Sequence, residues 1–358
     1  MSNYIEYGDK VAFHPGYYIK EIIDDSGLTQ ADFARRLGTT PKNISVLLKG
    51  EQSLSVDIAN KLSMMLGTSI SYWLNLQQAY DVLNAEFMRS KELERERDTF
   101  RMIDYGYFRD NMGLPDLPRK VDEQIESVRK FLSLSSLSVL EDKDLAVDFR
   151  GYKEELSRTK IVNSNVMAQI AINETLQANI PQFDRKKFEA RVDRLLLQTK
   201  NHERFLDETK TSLEEVGVYL VVLPNLKNSG ISGATKRVNG RVMILVNDRR
   251  HYEDTFWFTL FHEIGHVLNG NLGATSERES EADEFARRML IPEEAYCDFI
   301  KNFDYSDEKN IRAFAYSIDR DPGIVVGRLL IEHKINNSEV SLCNKYRHIF
   351  DVTREINN

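Results

Sequence analysis

Cysteine is nearly absent: Cys297 and Cys343 are the only two in 358 residues. That is too few for a disulfide framework or an all-cysteine zinc site, and it suits a reducing compartment. Long apolar runs are scarce as well. The densest, Tyr219 to Leu223 and Phe256 to Phe261, fall far short of the roughly 18 to 20 residues a bilayer helix needs. The opening MSNYIEYGDKVAF has no basic segment followed by an apolar one, so a secretory leader is not expected. Together these absences predict a cytoplasmic protein without a membrane segment. An excess of positive charge is also missing, since 48 Lys and Arg face 56 Asp and Glu for a formal net charge of −8. Any contact with nucleic acid must therefore come from a local basic patch.

What is present describes an ordinary folded chain, 41% hydrophobic and 29% charged. Its length exceeds a typical domain of roughly 100 to 200 residues, so several units are expected. The pattern suggests four stretches. Residues 1–83 hold a five-helix domain, 84–210 a helical connector with potential dimerisation surface, 211–335 a small α+β unit, and 336–358 a carboxyl-terminal extension. The fold class is mainly α with that α+β unit near the end. In the connector, leucine, isoleucine, valine and phenylalanine recur at helical spacing at about 121–134, 139–158, 161–179 and 184–210. Near Val216 the period becomes strand-like: VGVYLVVLP and RVMILVND read as two strands, and GISGA with Gly240 reads as turns.

Short helices with tight punctuation fill residues 15–80. Thr29 and Thr40 are placed to cap two successive helices, and Pro41 sits where its missing N–H costs nothing. Ile44, Leu47 and Leu48 turn inward, which leaves Thr40, Lys42, Asn43 and Val46 to face base edges, while Gln30 can reach a phosphate. Between residues 32 and 49 four basic side chains oppose one acidic one, so the positive field lies beside the proposed reading helix. The stretch from His14 to Tyr80, including LTQADFARRLGTTPKNISVLLKG, resembles the lambda-repressor-like helix-turn-helix family, particularly its HigA antitoxin branch. The resemblance implies a dimer on palindromic operator DNA and, through the antitoxin branch, a toxin as partner.

The sharpest chemical motif is HEIGH at 262–266. On a helix His262 and His266 lie one turn apart and can ligate one metal, with Glu263 placed as base for a hydrolytic water. A third ligand is required for an open tetrahedral site. Glu279, in ERESEADEFARRML, is the candidate; Glu277 and Glu281 are its rivals, and Asp283 is one turn on, where it can steer a liganding histidine. His251, Tyr252 and His333 are candidate donors to an oxyanion. With ILVND before the motif and IDRDPGIVVGRL after it, residues 211–335 resemble the ImmA/IrrE metallopeptidases. That resemblance implies a minimal zincin-like fold, Zn2+ on His262, His266 and Glu279, Glu263 as base and Asp283 in support. Phe261 departs from it, since the family usually has a small residue there.

Joined, the parts predict a DNA-binding transcriptional regulator with a zinc-dependent endopeptidase domain acting on a repressor, toxin or other regulatory protein. The alternative is a non-hydrolytic HigA-like antitoxin or repressor whose zincin-like domain senses a ligand or grips a partner.

Overall fold

The computed structural model describes residues 3–142, 157–270, 276–335, 342 and 345–352, which group into two compact units, Met1–Arg95 and Glu96–Asn358. The chain is mainly helical, with its larger sheet in the second unit. None of the described helices is long and apolar enough to cross a membrane.

The first unit opens with a hairpin absent from the sequence expectation, β1 (Tyr4–Tyr7) paired antiparallel with β2 (Lys10–Phe13). Gly8, at φ 64°, makes the tight turn, a conformation that glycine adopts without steric cost. Helices α1 (Pro15–Ser26), α2 (Gln30–Arg36), α3 (Pro41–Leu48) and α4 (Val56–Leu66) follow, and α5 spans Ile70–Phe100. Thr29, Thr40 and Ser55 each accept a backbone N–H at a helix start. The core gathers Ile19, Phe33, Ile44, Leu47, Leu62 and Trp73. α2 and α3 both contribute to that core and pack on each other.

In the second unit α6 (Tyr105–Met112) and α7 (Val121–Leu132) precede a 3-10 turn at Leu137–Glu141. Glu96, 1% exposed, accepts from Arg129 Nη1 at 2.8 Å and from Leu137 N at 2.7 Å. Most of the helix expected at 139–158 lies outside the described residues. Next come α8 (Arg158–Gln177), α9 (Arg185–Leu195), a second 3-10 turn at Leu196–Lys200 and α10 (Phe205–Glu214). The single helix expected over 184–210 is thus broken in two at that turn.

A three-stranded sheet follows: β3 (Val218–Leu223), β4 (Gly233–Val238) and β5 (Arg241–Asn247), in the order β3-β5-β4. β5 runs parallel to β3 and antiparallel to β4. β4 replaces part of the expected turn region. Val242, Ile244 and Val246 join the cluster built on Phe256, Trp257 and Leu260. Met243 and Leu245, also buried, must face the opposite side because strand side chains alternate. There α8, with more than half its residues buried, packs on the strands. The stretch expected as connector therefore supplies one wall of the sheet.

The remaining helices are α11 (Glu253–Asn269), α12 (Ser276–Leu290), α13 (Glu293–Asn302), α14 (Glu308–Ser317) and α15 (Pro322–Ile331). α11 lies on β4 and β5 and is covered by α12. Phe350 and Val352 from the expected extension are buried in the same core. The rest of 336–358, apart from Leu342 and residues 345–352, lies outside the described residues.

Candidate metal centre and nucleic-acid interface

HEIGH occupies the last two turns of α11, where every residue of the motif but His262 is buried. Phe261 fills the core behind it, with its ring 6.3 Å from that of Trp257. A large side chain is accommodated there because it points away from the two histidines. Gly265 serves the opposite need. A Cβ on it would stand 3.2 Å from Ala282 Cα, so the pairing of Gly265 with the small Ala282 brings α12 close against α11.

That close packing sets Glu279 and Asp283 against the histidines. His262 Nε2 and His266 Nε2 lie 3.0 Å apart, and Glu279 places its oxygens 3.3 Å from the first and 3.4 Å from the second. Ligands held in a tetrahedron at about 2.0 to 2.1 Å from zinc stand about 3.3 to 3.4 Å from one another, so the spacing of the two nitrogens and the Glu279 oxygens, Oε2 toward His262 and Oε1 toward His266, is close to that of three zinc ligands. Asp283 Oδ1 lies 2.8 Å from His262 Nδ1 and so turns Nε2 toward the other two donors. Burial disfavours a charged His262, but Asp283 and Glu279 outweigh it and raise the imidazole to about 10. Burial likewise opposes ionisation of Glu279, yet the hydrogen bonds from His262 and His266 hold it at about 2. The two shifts arise in part from the pairing of His262 with Glu279.

Glu263 points to β4. Its Oε2 accepts from Thr235 Oγ1 at 2.5 Å, and a Cβ on Gly233 would lie 2.6 Å from its Oε1. Burial raises the carboxyl's affinity for a proton, against the pull of His262 and Thr235. Neither Gly233 nor Thr235 was singled out from sequence, because their strand was read as turns. Among the rivals, Glu281 is exposed and outside the group formed by His262, His266 and Glu279, and the Glu277 side chain is not among those described. His251 lies 3.8 Å from Asp248, Tyr252 lies under the Arg347 guanidinium at 3.8 Å, and His333 is exposed. None of the three joins that group.

In the first unit, Thr40 and Lys42 are exposed at the start of α3, and Asn43 and Val46 are half-buried. Asn43 Nδ2 donates to Thr39 Oγ1 at 3.0 Å, and Gln30 Nε2 donates to the Pro41 carbonyl at 3.4 Å. The first bond holds the Asn43 side chain at the head of α3. The second ties the start of α2 to the start of α3.

Residues 19–73 match the helix-turn-helix family, and residues 213–318 match the IrrE N-terminal-like domain of the M78 peptidases. An uncharacterised HTH-type transcriptional regulator of Escherichia coli K12, YddM, is 39% identical over 79 residues, which are 22% of this chain and 84% of that one. Virulence-associated protein I of Dichelobacter nodosus is 32% identical over 76 residues, 21% of this chain and 70% of its own. Among solved structures, an addiction module antidote protein of a HigA family from Coxiella burnetii is 30% identical, covering 23% of this chain and 91% of its own with a TM-score of 0.22.

Proposed function

Because the chain belongs to the helix-turn-helix regulators through residues 19–73 and carries an M78-type IrrE N-terminal-like domain over 213–318, we propose that it is a DNA-binding regulator whose second unit is a zinc-dependent endopeptidase. The observation that carries the enzymatic part is the triangle of His262, His266 and Glu279, at 3.0, 3.3 and 3.4 Å, with Glu263 beside it. His262, His266 and Glu279 would hold a zinc ion, which would supply Lewis acidity toward a water and a peptide carbonyl. The Glu263 carboxylate, whose affinity for a proton is raised by burial, would take a proton from the attacking water and return it to the leaving amine. Thr235 holds the carboxylate by one oxygen, and Asp283 keeps His262 in the ligating tautomer. The substrate class is a regulatory protein: a repressor, a toxin or another regulator.

In the first unit α3 enters the major groove. Lys42 contacts phosphate or guanine, and Thr40, Asn43 and Val46 face base edges. Gln30 meets the backbone. The chain acts as a homodimer on a pseudo-palindromic operator, because a two-fold protein matches two half-sites. Light scattering over a wide concentration range, with and without operator, tests this; a persistent mass of 41.5 kDa would exclude it.

For the peptidase, wild type and Glu263→Gln are incubated with the cell's own proteome and neighbouring operon products, and new peptide termini are read by mass spectrometry. Both proteins should hold the same zinc, and only the wild type should produce new termini. Full zinc occupancy without that difference would favour a non-hydrolytic antitoxin or repressor.

A further inference from the structure

A second meeting of imidazoles and carboxylates lies at the opposite end of the motif helix. Residues 345–352 return to the first turn of α11, where Glu253 N donates to His348 O at 3.0 Å and Phe350 N donates to His251 O at 3.0 Å. Arg347 grips the buried Asp254 with two hydrogen bonds, at 3.0 and 2.9 Å. His202, from the loop before α10, stands between two carboxylates. Its Nδ1 is 2.7 Å from Glu253 Oε2, and its Nε2 is 3.3 Å from Asp321 Oδ2. The His348 ring rests on the His202 ring with centroids 3.6 Å apart. One ligand atom each from His202, Glu253 and His348 lies within 4.8 Å of the others.

The pattern repeats the metal centre with the ring nitrogens exchanged. There Asp283 holds Nδ1 of His262 and turns Nε2 toward Glu279 and His266. Here Asp321 holds Nε2 of His202 and leaves Nδ1 to Glu253, with His348 alongside. Two imidazoles and one carboxylate, with a second carboxylate behind one imidazole, make a donor set suited to zinc. The His348 ring brings a second imidazole nitrogen within ligand distance of the first and of Glu253. We propose that His202, Glu253 and His348 form a second divalent-metal site of the zinc type, steered by Asp321, which fastens the 345–352 segment to the base of α11.

Glu253 is nine residues before His262, so at 1.5 Å per residue the two sites are about 14 Å apart along the helix. The stacked rings meet at 25°, so ligation requires the half-buried His348 ring to turn edge-on. Its backbone, anchored by Glu253 N, stays in place during that rotation. Asp321 is occupied through its other oxygen, which accepts from Gly323 N at 2.7 Å, and this suits a positioning role.

The test uses the full chain, stripped of metal, reloaded with Zn2+ alone and dialysed. Bound zinc is counted by inductively coupled plasma mass spectrometry, with circular dichroism as the check on folding. Wild type should hold two ions per chain. His348→Ala, Glu253→Gln and His262→Ala should each hold one, and His262→Ala combined with His348→Ala should hold none. A wild type with no zinc, a single ion that disappears in His262→Ala, or two ions untouched by His348→Ala would each overturn the proposal. If the His348 variant does not fold, anomalous scattering at the zinc edge from zinc-loaded wild-type crystals decides. A peak among His202, Glu253 and His348 supports the site, and no peak there overturns it.

Discussion

Asp283→Ala isolates the steering of a ligand from ligation itself. The Asp283 side chain is 62% exposed, so its removal opens no cavity and should leave the packing of α12 on α11 intact. What disappears is the 2.8 Å bond to His262 Nδ1. Without it the imidazole can turn about its bond to Cβ and place its proton on Nε2, the nitrogen that must face the metal. Loss of such a supporting carboxylate typically weakens zinc binding about 10- to 100-fold, which is about 1.4 to 2.7 kcal/mol. Asp283→Asn keeps an acceptor oxygen and should fall between wild type and alanine, whereas His262→Ala deletes a ligand and should lose more than either. Titration of the metal-free protein with Zn2+ against a chromogenic chelator gives the constants. An Asp283→Ala protein with wild-type folding and an affinity within twofold of wild type would refute the assignment.

Gly233→Ala should retain metal but slow hydrolysis about 100-fold, since its Cβ would lie 2.6 Å from Glu263 Oε1 and misplacing a reacting group by about 1 Å has a cost of that order; turnover of the mapped substrate and zinc content measured side by side check it. Thr235→Val leaves the buried Glu263 carboxylate without its hydroxyl donor and should destabilise the protein by about 1 to 3 kcal/mol, read by chemical denaturation, with Thr235→Ser recovering most of the loss. Lys42→Ala should weaken operator binding and lower the salt slope by about one, while Asn43→Ala should relax preference at one base pair by about 1 to 3 kcal/mol; titrations at several salt concentrations distinguish the two. His14 caps α1 by accepting from Gly16 N at 3.0 Å, and burial lowers its affinity for a proton. Its contribution to stability is therefore complete above the unfolded value of 6.5 and is lost as pH falls through the lower folded value. Protection of the amides in residues 15–26, corrected for the intrinsic pH dependence of exchange, should fall over that window, and unchanged protection would count against the cap.

The parts legible in the sequence are those whose information is local. Thr29, Thr40 and Pro41 announce helix starts through their own chemistry, and each occupies the expected place. α5 outruns the expected end near Tyr80 because no glycine or proline interrupts the residues up to Phe100. The motif and the neighbouring acidic helix could be proposed as a site from spacing alone. Gly265 against Ala282, which sets how closely the two helices approach, has no local signature. β4 was hidden because GATKRV lacks a clear apolar alternation; pairing with β5, on antiparallel register from Gly233 opposite Val246, gives it its strand. β1 and β2 offered a weak signal in YIEYGDKVAF, since Gly8 and Asp9 form a two-residue turn between short strands.

The burial of Phe350 bears on the order in which the molecule can be completed. Its ring packs 5.0 Å from that of Phe256 and 5.6 Å from that of Phe205, while Arg347 neutralises Asp254 inside the same wall. A growing polypeptide delivers α11 well before either residue has left the ribosome. Until they arrive, the first turn of that helix carries an unpaired acid and an uncovered aromatic face, a state that a low-dielectric core penalises. Maturation of the second unit therefore waits for the arrival of residues 347–350.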